Sequence, residues 1–190
     1  MDIMLDIETL ATGPNSVVIT LGAIRFDPFT NDEESIEGDS IRMDTFYRRI
    51  DPESFIWPTA EIDDTTLAWW AKQSKEVQHE AFTSYDRHDI KDVMRDFHRW
   101  CKTYDNVWAN GPAFDIVILE QVCKNLGRGF PWKYYQVRDA RTVYNMVDHI
   151  RPNPRLHHAL WDCWSQIVAL QSCFKNLNIK KYPDRNVSNG

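Results

Sequence analysis

An apolar run from Ile3 to Leu10 near the start of the chain is interrupted by two carboxylates, Asp6 and Glu8. Alternate residues of a strand point to the same side, so these two acids share a face. Paired carboxylates on a central strand repel one another and are costly to desolvate. A hard divalent cation with oxygen ligands relieves that conflict. A fold built on this strand must therefore leave the acidic face in water or assemble a cation site over it. The apolar neighbours Ile3, Leu5, Ile7 and Leu10 favour the second solution.

At 190 residues, 43% of them hydrophobic and 13% aromatic, the chain can bury one sizeable core and is short for two. One domain over residues 1–180 is expected, with 181–190 as a tail. No apolar run approaches the length of a membrane helix and no secretory leader pattern opens the chain, so the expectation is a cytoplasmic protein without membrane association. Cys101, Cys123, Cys163 and Cys173 lack CxxC spacing and read as reduced core thiols. The net charge of −6 argues against a nucleic-acid partner until its distribution is considered. Residues 1–123 hold 24 acids against 11 bases, whereas residues 124–190 hold 4 acids against 11 bases. The basic final third can face a phosphate backbone.

Strands are predicted over residues 3–7, 17–26 and 45–50, with short ones near 106–109 and 135–137. The acidic connection 27–44 lacks apolar periodicity and is expected to be exposed and mobile. Helical spacing begins at Thr65, where Leu67, Trp70 and Ala71 share a face, and strengthens over Ile90, Val93, Met94 and Phe97. Further helices are predicted from Ile116 to Leu126, over about 140–147, and over about 159–177. Strands followed by alternating helix and strand suggest an α/β fold with a mixed sheet and helices packed on it.

Two further segments carry acids. Asn110-Gly111-Pro112-Ala113-Phe114-Asp115 sets an aspartate in the first turn of a helix, where helix capping is the ordinary explanation. Leu156-His157-His158-Ala159-Leu160-Trp161-Asp162 opens the last helix, and alone reads as a surface histidine pair beside an aspartate at a helix start.

Together, Asp6-Ile7-Glu8-Thr9, Asn110 to Asp115 and His157 to Asp162 resemble, in order and spacing, the three motifs of the DEDDh branch of the proofreading-exonuclease superfamily. The resemblance spans residues 6–162. Met4-Leu5-Asp6-Ile7-Glu8-Thr9, Trp69-Trp70 with Lys72-Gln73, and Arg138-Asp139-Ala140-Arg141-Thr142 look most like the small phage exonuclease A type and related bacterial exoribonucleases. The resemblance implies a ribonuclease H-like, mixed five-stranded sheet flanked by helices. It also implies 3′-to-5′ removal of nucleoside 5′-monophosphates from single-stranded DNA or RNA ends. Two Mg²⁺ or Mn²⁺ ions would be held by Asp6, Glu8, Asp115 and Asp162, about 4 Å apart as in-line displacement requires.

Five residues separate His157 from Asp162 and four separate His158. On a continuous helix His158 would share the face of Asp162, so the family spacing selects His157 as general base only if it precedes the helix. An imidazole suits that role near neutral pH. Thr9, Leu10 and Phe114 are candidates to line the terminal nucleotide's pocket by position. Trp69 and Trp70 are candidates to stack on bases, although only one of two adjacent helical residues should be exposed. Arg138 and Arg141 are candidate phosphate contacts, and Arg141 beside Asp139 reads equally as a structural pair. Small relatives of this kind are often homodimers. A catalytically inactive, nuclease-like binding module is the competing reading, but such modules usually lose one or more of the five residues present here. A metal-dependent phosphatase would not need three ordered motifs.

Overall fold

The computed structural model describes residues 1–183. Its centre is the expected acidic strand, β1 (Asp2–Thr9), flanked by antiparallel β2 (Val18–Phe26) and, on the other side, by parallel β7 (Val107–Ala109). β5 (Asp44–Ile50) extends the sheet beyond β2, and β8 (Val137–Asp139) extends it beyond β7. The sheet has six strands rather than five, with β6 (Arg87–His88) at one edge, in the order β6-β5-β2-β1-β7-β8. This additional strand is a two-residue edge pairing too short for hydrophobic alternation to reveal.

Side chains of β1 alternate between two cores. Ile3, Leu5 and Ile7 face α3 (Ile90–Trp100) and α4 (Asp115–Asn125), together with Trp70 of α1 (Asp64–Trp70). Met4 faces the opposite layer, built from α5 (Ala140–Tyr144) and α6 (Ala159–Asn176). By strand parity Asp6 and Glu8 lie on the α6 side. α6 is buried along most of its length because it crosses the middle of the sheet over β1 and β2.

Several predicted boundaries differ. The segment 27–44 is not simply exposed: a small hairpin, β3 (Ile36–Glu37) and β4 (Ser40–Ile41), packs Ile36 and Ile41, with Phe29 and Met43, against the α6 layer. Gln171 of α6 pins this segment by accepting from Asp32 N at 2.9 Å and donating to Asp27 O at 2.8 Å. Residues 134–136 form a 3₁₀ turn, and the adjacent strand begins two residues later than expected. α5 stops at Tyr144. In α1, Trp70 alone is buried, while Leu67 and Ala71 face solvent. A second short helix, α2 (Lys75–Phe82), follows it. In the expected tail, Tyr182 packs on Phe29 and donates to the buried Asp2 carboxylate; residues 184–190 lie outside the described part. All four cysteines are buried and free. Among the described residues, no helix is long and apolar enough to cross a membrane.

Candidate active site

The acidic face of β1 becomes a site because two other segments, the starts of α4 and α6, lie over it. Asp162 stands in the first turn of α6, whose start lies directly on β2 at Gly22, the residue paired with Asp6. One carboxylate oxygen each from Asp6, Glu8 and Asp162 fall within 4.8 Å of one another. Asp115 arrives from the opposite layer around the end of β7. Beyond the β1–β7 pairing, the Ile7 N–H has no strand partner, and Asp115 Oδ1 accepts it at 3.2 Å. Capping is thus not the main use of Asp115: the helix N-cap is Phe114, without a side-chain bond, and the carboxylate is buried against β1.

The electrostatics are those of a site that calls for positive counter-charge. Burial raises the Asp6 carboxyl well above its ordinary value, and repulsion from Asp115, Asp162 and Glu8 adds to this. Burial, then Asp162 and Asp115, pushes Glu8 up to about 8. Burial also takes Asp115 up to about 7 and raises Asp162, despite the opposing hydrogen bond from Asn153. The mutual influence places all four acids in one electrostatic unit.

Neutral amides orient these acids. Gln166, one turn after Asp162 on α6, donates to Asp6 Oδ1 at 2.8 Å, and Asn153 donates to Asp162 Oδ1 at 2.6 Å. Sequence reasoning missed both. The four-residue interval from Asp162 to Gln166 is a readable helical signal, whereas Asn153 reaches the site from an irregular loop. Each donor engages one oxygen and adds no positive charge. A donor set of hard carboxylate oxygens, strongly destabilised as anions and held by neutral partners, fits a divalent cation.

α6 begins at Ala159, so neither histidine is within the helix. His157 precedes it with φ of +58°, and its charge favours the anionic form of Asp162. Its ring meets the edge of Trp69 at 4.8 Å. His158, the N-cap residue, turns away from the carboxylates and stacks on Tyr47 at 4.7 Å.

Beside the acids is a cavity of about 390 Å³ lined by Glu8, Thr9, Trp69, Trp70 and Phe114, among others. Trp69 is 41% exposed and Trp70 only 2%, with Trp70 Nε1 donating to Thr9 O at 2.9 Å. Trp70 therefore builds the cavity floor and Trp69 its open wall. The Leu10 side chain belongs to the core, and its backbone is bonded to Val17 and Asp63; it is not brought to the cavity. Arg141 lies at the turn before α4: Nη2 donates to Asn110 O at 3.0 Å, and its charge favours the Asp115 anion. Its backbone N–H is capped by Asp139. Arg138 instead folds onto the carbonyls of Tyr135 and Val137, at 2.7 and 2.8 Å, along the sheet edge.

An α/β sheet that gathers four carboxylates from three segments of the chain over its central strand, with a histidine just before the last, is the arrangement that the resemblance to DEDDh 3′-to-5′ exonucleases implies. A family model described as the 3′-5′ exoribonuclease Rv2179c-like domain matches residues 1–174, and the chain belongs to this family. It is 23% identical to an exodeoxyribonuclease of Enterobacteria phage T4, over 90% of this chain and 87% of that protein. Its fold is similar to the nuclease domain of 3′hExo, a DEDDh family member solved bound to rAMP. That match has a TM-score of 0.55 and 12% identity, covering 97% of this chain and 96% of the other.

Proposed function

We propose that the protein removes nucleoside 5′-monophosphates one at a time from the 3′ end of single-stranded DNA or RNA, with two Mg²⁺ or Mn²⁺ ions held by Asp6, Glu8, Asp115 and Asp162. The observation that carries this reading is the convergence of carboxylate oxygens from Asp6, Glu8 and Asp162 within 4.8 Å, with Asp115 close enough to repel Asp6. When bound, such ions stabilise charge on the phosphodiester and hold the attacking and departing oxygens in line.

The chain's own residues supply the rest. His157, on the loop beside Asp162, accepts a proton from the attacking water through its imidazole. Trp69 offers an exposed indole on which the terminal base stacks, and Thr9 and Phe114 close the same cavity. Arg141, at the Asn110–Gly111 turn and close enough to Asp115 to favour its anion, attracts the phosphate. Four buried thiols without a disulfide support a cytoplasmic setting.

The test is time-resolved digestion of matched 5′-labelled RNA and DNA oligomers with Mg²⁺ or Mn²⁺. A ladder shortening from the 3′ end, with release of 5′-monophosphates, is expected, and the faster ladder identifies the preferred sugar. Turnover retained in excess EDTA, or internal cuts without a 3′ ladder, would refute the proposal.

A further inference from the structure

His157 occupies the left-handed region of backbone space, which a non-glycine residue holds only when its surroundings over-determine it. What precedes it gives little support: Leu156 is exposed, and Arg155 is tied at the surface to Asp39 and over the Trp161 ring. The first well-buried side chain on the approach to α6 is His158, whose side chain is 13% exposed. It is wedged between two elements that do not belong to the carboxylate cluster. On one side its ring stacks on Tyr47 of β5 with an interplanar angle of 27°. On the other, its Nε2 faces Glu80 of α2 at 3.7 Å. Glu80 is itself fixed, accepting from the Tyr47 hydroxyl and from Arg49 Nη2 at 2.6 and 2.7 Å. The His158 carbonyl then accepts Asp162 N at 2.9 Å, so one residue anchors the loop and opens the helix that carries a site carboxylate.

We infer that His158 is a positioning residue: its ring, clamped against Tyr47 and the Glu80–Arg49 pair, holds the backbone twist that points His157 at the carboxylates. The anchor works through shape and stacking. His158 Nδ1 is buried without a partner, so no hydrogen bond from that atom is involved. Burial lowers the His158 pKa, the nearby Arg155 and Arg49 charges act in the same direction and Glu80 opposes them, so the ring is held toward its neutral form.

The inference rests on His157 being the general base, and a double-mutant cycle separates the two claims. Initial rates on a 5′-labelled single-stranded oligomer with Mn²⁺ are measured for the parent, His157→Ala, His158→Ala, the double variant and His158→Phe. Melting curves check that each is folded. His157→Ala should lose about 10²- to 10⁴-fold in kcat; a fully active His157→Ala sinks the base assignment itself. His158→Ala should lose about 10- to 100-fold in kcat with KM within about twofold. In the His157→Ala background the same change should cost nothing further, because there is no longer an imidazole to position. His158→Phe, which keeps a flat ring against Tyr47, should restore most of the rate. With His157→Ala inactive as expected, an undiminished His158→Ala, an equal loss in both backgrounds, or a His158→Phe as slow as His158→Ala would each overturn the positioning role.

Discussion

Gly22 and Ala159 are in direct backbone apposition: a Cβ at Gly22 would lie 2.5 Å from the Ala159 carbonyl carbon and 2.6 Å from Leu160 N. Because Gly22 pairs with Asp6 across the β1–β2 ladder, the bare backbone at this point lets the first turn of α6 settle beside the acidic pair. Cys163 Sγ, one residue beyond Asp162, reaches Gly22 O at 3.4 Å.

Gly22→Ala should therefore displace the start of α6. Neither clashing partner is a flexible side-chain tip, so relief must come from backbone movement, with an expected destabilisation of about 1–3 kcal/mol. Activity should fall by more than stability alone accounts for, because Asp162 moves with the helix. Denaturant unfolding and kcat measured on the same preparation check this, and a variant with parental kcat would show that the contact does not set the site.

Without a divalent cation, Glu8 is pushed up to about 8 and Asp115 up to about 7 from ordinary values of 4.5 and 3.8. A carboxyl raised on folding binds its proton more tightly in the folded state. Its contribution to stability is complete below the unfolded value and lost as pH rises through the folded one. The midpoint temperature of the EDTA-treated protein should thus fall between about pH 4.5 and pH 8. Added Mg²⁺ or Mn²⁺ should raise it most at the upper end, where the acids are anionic. Thermal melts across that range, with and without the cation, provide the check; a flat cation-free profile would contradict the proposed repulsion.

The same repulsion separates stability from activity. Asp162→Asn removes one charge from the cluster while keeping an acceptor for the Asn153 amide, which holds Asp162 Oδ1 at 2.6 Å. The cation-free variant should melt a few degrees higher than the parent at pH 8, a shift of about 2–4 °C for each kcal/mol of relieved repulsion. It should also lose nearly all turnover. A calorimetric scan and an oligomer digestion test the two halves separately, and lower stability would count against a purely electrostatic penalty.

Much of this was legible in the chain because each motif carries its own periodicity. Asp6 and Glu8 declare their shared face by two-residue spacing within an apolar strand, and His157 precedes the last helix as its five-residue interval to Asp162 requires. Gly22 carried a signal that the sequence reading did not use, since a glycine inside a strand marks close backbone approach. Asn153 was not legible, as no period relates a loop amide to the helix it serves. The use of Asp115 was legible only through the resemblance of the three motifs, not from its own position: first-turn acids ordinarily complement their own helix, and only the end of β7 frees the Ile7 N–H that draws this one across. The edge strand β6 and the hairpin of residues 36–41 escaped for a simpler reason, since two-residue strands are too short to alternate.

The two tryptophans should part company under mutation. Trp70 is buried beneath the cavity, donates to Thr9 O at 2.9 Å and packs edge-on with Phe82, so Trp70→Ala removes a large core group and a bond to the strand that carries Glu8. A loss of about 3–5 kcal/mol is expected, with activity falling as a consequence of unfolding. Trp69 lines the cavity, is 41% exposed and is not among the buried core residues. Trp69→Ala should leave the unfolding midpoint nearly unchanged and raise KM for short oligomers, by the roughly 5- to 150-fold that one base stack of about 1–3 kcal/mol represents. Trp69→Phe should recover much of that binding, because any base can stack on an aromatic ring. Parallel melting curves and Michaelis–Menten analysis on trinucleotides distinguish the two positions. If Trp69→Ala instead lost stability with KM unaltered, the indole would be part of the scaffold and the terminal base would have to be held elsewhere.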